Sequence, residues 1–240
     1  MKHDLDYINQ ILGETGVKQV FTQNAKMRRS SVNGVHLYNF GIPAFRSRNG
    51  LATCPNAKSC VSGCYARSGA YIWSTVAQAY ENRLALTRTK GFNEVINFQI
   101  TKLIKRHKTG LILLRIHDSG DFYSKSYQLE WYNIASQWVN EPRIKFYAYT
   151  KMIEQSNSLK NQQPNNFRLV YSYGGEQDNI IRPDTDFNSR VFESIEALSK
   201  AEYIDGTIDD TIAALGTYNK IGLVYHGVKS YKNTTWDKVR

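Results

Sequence analysis

The apolar positions of this chain follow two different periods in turn. Between residues 92 and 104 the apolar side chains recur every three or four positions, which places them on one face of a helix. Residues 111–116 then form a mainly apolar run with the length of a buried strand. The pattern therefore predicts a helix that is followed directly by a strand of the core.

The same change of period recurs along most of the chain. Strands are predicted at residues 35–40, 111–116, 144–149, 167–172, 189–192 and 221–225, and helices at 4–12, 71–89, 92–104, 124–138, 151–159 and 193–201. Such alternation is typical of parallel βαβ units. We therefore expect an α/β fold, a partial (βα) barrel of about six parallel strands that is TIM-barrel-like; an open doubly wound sheet is the alternative. Residues 1–34 are predicted as a basic N-terminal helix and arm, and residues 35–240 as a single barrel-like domain.

Polar loops follow the predicted strands at 46–68, 117–123, 150–151, 173–179 and 226–230. In parallel α/β folds the carboxyl ends of the strands meet at one edge of the sheet, and chemistry gathers in the loops there. We therefore expect the active site at this edge.

Charge is distributed unevenly along the chain, which has a net charge of +10. No acidic residue lies between residues 15 and 80, whereas this stretch holds eight basic residues: Lys18, Lys26, Arg28, Arg29, Arg46, Arg48, Lys58 and Arg67. A one-sided positive field attracts nucleic acid or a phosphorylated ligand, and Arg28, Arg29, Arg46 and Arg48 are the candidate contacts. A basic surface that only keeps the protein solvated is the alternative.

The chain begins without the apolar core of a signal peptide, and no window approaches 18 apolar residues. We therefore expect no membrane segment and a cytoplasmic protein, in the host cytoplasm if a phage encodes it.

All three cysteines of the chain lie within eleven residues, at Cys54, Cys60 and Cys64. An odd, tightly clustered set argues against a disulfide framework and for metal or redox chemistry. Three thiolates could hold zinc with a histidine such as His226 as the fourth ligand. They could equally hold a [4Fe–4S] cluster with one iron left open. Three free or buried thiols are the alternative to a metal site.

The loop after the strand at 111–116 concentrates ionisable groups. His117, Asp118 and Asp121 lie within five residues, and Gly120 permits a close approach of backbone or ligand. Such groups can transfer protons or bind a cofactor ammonium, so the three are candidate catalytic residues. The alternative is that Asp118 and its neighbour only cap the next helix.

The order of these motifs resembles the radical S-adenosylmethionine enzymes. Cys64 and Tyr65 match the Cys-aromatic end of their cysteine loop, and Ser119-Gly120-Asp121 stands where a Gly-Gly-Glu type motif would be. The resemblance implies a [4Fe–4S] cluster, S-adenosylmethionine, and hydrogen abstraction from a substrate. It implies that Asp121 contacts the cofactor amino group, and that the cofactor is lined by Tyr65, Ser119, Gly120 and Ser172. The cysteines depart from the usual spacing, with five and then three intervening residues.

Two further families share motifs with the chain. It is similar to the phage gene product 88 proteins through residues 40–45, the cysteine loop, and residues 65–71, 117–122 and 147–151. Residues 118–122 also resemble the Asp-Ser-Gly-Gly-Phe motif of queuine and deazaguanine transglycosylases, in which Asp118 would contact the exchanged base. Three functions therefore stay open: an iron–sulfur enzyme acting on nucleic acid or a nucleotide, a zinc-dependent transglycosylase, or a basic nucleic-acid-binding phage protein with a structural metal.

Overall fold

A computed structural model of the protein describes residues 3–32, 34–226, 231 and 236. Its described part contains one sheet of seven parallel strands: β1 Val35–Phe40, β2 Leu111–Ile116, β3 Ile144–Thr150, β4 Phe167–Ser172, β5 Asn188–Phe192, β6 Ile204–Asp205 and β7 Lys220–Val224. The order across the sheet is β1-β2-β3-β4-β5-β7-β6. The sheet curls into a half-barrel, which confirms the expected partial TIM-barrel-like fold.

Eight α-helices accompany these strands within the described residues: α1 Leu5–Thr15, α2 Ala25–Ser30, α3 Ser74–Leu86, α4 Phe92–Arg106, α5 Lys125–Ser136, α6 Ile153–Ser158, α7 Ile195–Lys200 and α8 Thr211–Leu215. Ser124 caps α5 as the sequence predicts, because its side chain accepts a hydrogen bond from the Tyr127 N–H. The structure adds three elements that the hydrophobic pattern did not show, namely α2, β6 and α8. No helix among the described residues combines the length and the apolar character needed to cross a membrane.

The outer face of the half-barrel carries the larger core. Alternate strand residues such as Phe40, Leu114 and Phe146 point to this side, where helices α1, α3, α4 and α5 cover them. Trp131 of α5 is fully buried there and meets the Phe40 ring edge-on at 5.1 Å. This layer holds the strands in place, and their carboxyl ends are thereby fixed relative to one another.

The inner face of the half-barrel is filled by the two short helices α2 and α8. Met27 of α2 and Ala213 of α8 pack against Leu113 and Tyr147 of the strands. The segment that the sequence predicts as a basic arm contains α2, a helix inside the barrel, and Ile8 of α1 belongs to the outer core. Burial of Met27 ties this segment to the strands.

A buried ionic network connects the two short helices α2 and α8 to the strands. The Asp210 carboxylate, at the start of α8, lies 2.6 Å from Lys26 Nζ and 3.0 Å from an Arg115 guanidinium nitrogen, and it accepts a hydrogen bond from the Tyr147 hydroxyl. Burial would raise the pKa of Asp210, but the charges of Arg115 and Lys26 lower it overall. The network joins α2, α8 and two strands beneath their carboxyl ends.

Candidate functional site

A cavity of about 180 Å³ opens at the carboxyl ends of the strands. The cysteine loop, the loop after β2 and the ends of β3, β4 and β7 all contribute to its wall. The shared edge that the sequence predicts as the site is therefore where these segments meet. Every predicted catalytic, cofactor and metal residue lines this cavity: Cys54, Cys60, Cys64, Tyr65, His117, Asp118, Ser119, Gly120, Asp121 and Ser172.

Backbone hydrogen bonds fix the cysteine loop against the sheet. The Cys60 N–H donates to the Gly174 carbonyl, so the loop rests on the Gly-Gly turn that follows β4. Phe45 adopts a left-handed backbone with φ of 64°, which is uncommon outside glycine. Its N–H donates to the Cys54 Sγ at 3.3 Å. The loop thus directs its cysteines to one cavity and supplies a donor to the Cys54 sulfur.

A buried thiol keeps its proton unless a positive charge stabilises the thiolate. Burial and the nearby charge of Asp121 raise the pKa of Cys54 to about 12. Burial also raises the pKa of Cys64, although the Ala66 N–H opposes this shift. Bound metal replaces such protons, so the donor set fits zinc or an iron–sulfur cluster chemically.

Within residues 3–32, 34–226, 231 and 236, no group of three or more His, Cys, Asp or Glu side chains is arranged to hold a metal ion. The three cysteines are free thiols that share a cavity. For these three cysteines to bind one metal ion, their side chains would therefore have to rotate toward a common centre. His226, the candidate fourth ligand, is exposed at the rim, with its ring 5.7 Å from the Tyr65 ring. The predicted loop segment 227–230 lies outside the described residues.

Tyrosine hydroxyls surround Asp118. Its Oδ2 accepts hydrogen bonds from Tyr71 at 3.1 Å and from Tyr80 at 2.9 Å. The Tyr65 hydroxyl donates to the Asp118 backbone carbonyl. Gly41 lies so close that a Cβ there would come 2.0 Å from Asp118 Oδ1. The carboxylate is therefore held in one orientation at the cavity wall.

Asp121 is used differently, because its carboxylate ties two loops together. Oδ1 accepts from the Phe122 N–H at 2.8 Å and from the Thr150 hydroxyl at 2.7 Å, and Oδ2 accepts from the Lys151 N–H at 2.8 Å. Burial raises the pKa of Asp121, and these donors oppose the shift. Both carboxylate oxygens of Asp121 thus already accept hydrogen bonds. The role of Asp121 in this structure is to position the loop after β2 against the end of β3. Gly120 has φ of 84° and approaches Ile42, as expected for a close backbone contact.

His117 is held in a strained and neutral state. Its φ of 68° is left-handed, and its Nε2 shares a hydrogen bond with the Tyr127 hydroxyl at 3.0 Å. Burial and the charge of Arg115 lower the pKa of His117 to about 3. The ring is therefore neutral near pH 7 and can exchange protons only as a neutral donor or acceptor.

Five residues that line the cavity each hold a buried polar atom without a hydrogen-bond partner in the described part of the chain: Arg115 Nε, His117 Nδ1, Asp118 Oδ1, Ser119 Oγ and Tyr149 Oη. Native proteins leave few such groups, and a cluster of them marks a place where a ligand or water belongs. Sequence reasoning missed Arg115 and Tyr149. The signal for Arg115 was a single cation inside the apolar run of β2.

The end of β3 adds an ammonium group to the wall. Lys151 Nζ donates to the Ser172 hydroxyl at 2.7 Å, so Ser172 is already engaged. Lys151 follows the strand directly and lines the cavity. It adds a positive charge beside the cysteine loop.

The four candidate arginines do not form one surface. Arg46 and Arg48 follow β1 at the cavity end, where Arg46 packs over the Phe45 ring and Arg48 donates to Gln78. Arg29 lies beside Val35, where β1 begins. Since a six-residue strand is about 17 Å long, Arg29 lies well away from Arg46 and Arg48. Arg28 donates to the carbonyl of Gln23, which lines a second cavity together with Arg48.

Comparison with known proteins agrees with one of the resemblances. The family model described as "Gene product 88" matches residues 17–230. The "Gene 88 protein" of Mycobacterium phage L5 is 25% identical over 199 residues, which cover 75% of this chain and 82% of that protein. No solved structure matches the chain. Because the family model spans most of the half-barrel and its cavity-lining loops, this chain belongs to the gene product 88 family.

Proposed function

We propose that this protein is a metalloenzyme that binds an iron–sulfur cluster through Cys54, Cys60 and Cys64 and acts on a nucleic acid or nucleotide in the adjoining cavity. One observation carries the proposal: three thiols and a set of unpaired, buried polar groups line the same cavity at the strand ends. A site with perturbed ionisable groups in a cleft is the usual setting of catalysis.

By resemblance, Cys54, Cys60 and Cys64 would hold the cluster, and the cluster would supply an electron for the cleavage of S-adenosylmethionine. The chain's own residues provide the surroundings. Asp121 fixes the loop after β2 against β3, and Asp118 is oriented by tyrosines. His117 contributes a neutral ring, whose low pKa keeps a second positive charge away from Arg115.

The nucleic-acid substrate is supported by the rim of the cavity. Arg46 and Arg67 both place their guanidinium carbons 5.4 Å from the centre of the Phe45 ring. Ala44, which precedes Phe45, and Ala66, which precedes Arg67, line the cavity itself. Guanidinium groups combined with an aromatic ring are typical of surfaces that hold a single strand by charge and stacking.

Anaerobic purification with added iron and sulfide tests the metal. We expect a brown protein that absorbs near ~400 nm and holds about four iron atoms per chain. Cys54→Ser, Cys60→Ser and Cys64→Ser should each lose iron and keep the far-UV spectrum of the parent. Iron content that is the same in the parent and in all three variants would contradict the proposal.

The base-exchanging transglycosylase is the second candidate, and the fixed orientation of Asp118 at the cavity wall favours it. On this reading the cysteines hold zinc and Asp118 contacts the exchanged base. A colourless protein with one zinc per chain and incorporation of labelled deazaguanine into nucleic acid would select it. Zinc without incorporation would select the third function, a nucleic-acid-binding protein with a structural metal.

A further inference from the structure

Two cations and one carboxylate lie close together at the floor of the cavity. Lys26 and Arg115 flank the carboxylate of Asp210, whose side chain is fully buried. Of these three residues, Arg115 lines the cavity itself. It therefore brings a guanidinium group to the cavity floor.

The same floor presents hydrogen-bond donors that nothing in the described chain accepts. Arg115 Nε, Ser119 Oγ and Tyr149 Oη are buried and unpaired, and the three residues line the cavity. Ser119 is only 6% exposed. The guanidinium of Arg115 lies 4.9 Å from the centre of the Tyr149 ring, so these two groups are neighbours. A guanidinium and two hydroxyls are together the donor set of an anion site.

Other charged groups of the cavity do not supply the missing acceptor. Asp118 Oδ2 is engaged by Tyr71 and Tyr80, and both oxygens of Asp121 accept from groups near β3. Asp118 Oδ1 has no partner among the described residues, so it accepts no hydrogen bond from Arg115, Ser119 or Tyr149. His117 also lines the cavity, and its Nδ1 is buried and unpaired. The ring is neutral there, so it brings no opposing charge.

The geometry points to an anion-binding subsite on the cavity floor, formed by Arg115, Ser119 and Tyr149, that receives a carboxylate or phosphate group of the ligand. The subsite rests on the proposed function only in that both assume this cavity to be the ligand-binding site. The subsite requires no metal. This subsite implies a ligand that carries a small oxyanion group. The oxyanion would bind at the floor of the cavity, and the rest of the ligand would lie closer to its opening.

Calorimetric titration of the full chain with inorganic phosphate and, separately, with acetate tests the subsite, with chloride added to keep the ionic strength constant. We expect saturable binding of one anion per chain. Tighter binding of phosphate identifies a phosphate group, and tighter binding of acetate identifies a carboxylate. If neither anion saturates, the subsite does not exist.

Tyr149→Phe is the informative variant because it deletes a hydroxyl that has no partner. Anion affinity should fall about five- to tenfold, the effect of one hydrogen bond. Melting temperature should stay the same or rise, since a buried unpaired group has been removed. Ser119→Ala should behave alike. Parent-like affinity in both variants would overturn the inference.

Tyr147→Phe is the matched control, since it removes a neighbouring buried hydroxyl that already donates to Asp210. It should lower the melting temperature and change anion affinity by less than about twofold. Metal analysis of the same samples separates the two proposals. Anion binding with the expected variant pattern but without bound iron removes the iron–sulfur proposal alone. Bound iron without anion binding removes the subsite alone.

Discussion

Protonation of His117 should set much of the acid sensitivity of this fold. The ring is 3% exposed, it sits beside Arg115, and its pKa is lowered from 6.5 to about 3. Between pH 6.5 and about 3, His117 is therefore protonated in the unfolded chain and neutral in the folded chain. Stability is consequently full above pH 6.5 and falls as the pH drops from there toward 3.

The size of this effect follows from the shift. Each pH unit between the two pKa values is worth about 1.4 kcal/mol, so moving from neutral pH to about pH 5 should lower the free energy of unfolding by about 2 kcal/mol through His117 alone. His117→Asn removes the titrating group, and asparagine tolerates the left-handed backbone at φ of 68° better than most residues. The variant should lose less stability than the parent on acidification.

Urea unfolding at a series of pH values between about 5 and 7.5 measures this difference. Tyr127→Phe is the control, because it deletes the hydrogen bond to Nε2 and keeps the imidazole. It should be less stable at every pH with the slope of the parent. Equal slopes in the parent and in His117→Asn would refute the assignment of a strongly lowered pKa to this ring.

Two other sets of substitutions test the ionic network around Asp210 and the basic side chains at the two ends of β1. Asp210→Asn leaves two buried cations without their carboxylate and should reduce the free energy of unfolding by about 3–5 kcal/mol, measured by urea titration. Arg46→Ala with Arg48→Ala should reduce the slope of log affinity for single-stranded nucleic acid against log salt by about 1.4, whereas Arg29→Ala, at the other end of β1, should leave it unchanged. A similar loss in Arg29→Ala would contradict a binding face at the cavity end.

The repeated β-α pattern was readable because buried parallel strands are nearly continuous apolar runs. The bounds of β1, β2 and β4 agree with the sequence prediction for that reason. Helices α2 and α8 have only six and five residues, too few for a periodic signal. Such helices are stable only through tertiary packing, which a local pattern cannot display.

The site was predictable to the level of its loops. Polar segments after strands converge in any parallel α/β sheet, so placing the cysteine and acid loops at one edge needed only topology. The tyrosines around Asp118 could not be found in this way, since Tyr71 and Tyr80 lie 47 and 38 residues away. Their hydroxyls reach the carboxylate only because α3 and the turns before it fold back over the end of β1.

Asp118 and Asp121 are close in sequence, but the same substitution should cost very different amounts of stability at the two positions. Asp121→Asn replaces an acceptor with an NH₂ group that faces donors from Thr150 or Lys151, at about 1–3 kcal/mol for each donor left unpaired. Asp118→Asn is milder, because the tyrosine hydroxyls on Oδ2 can rotate to accept from an amide. Urea unfolding should therefore rank Asp121→Asn well below Asp118→Asn. The reverse order would mean that Asp118 fixes the loop and that Asp121 is free to meet a ligand, which would restore the cofactor contact that the radical-enzyme resemblance implies.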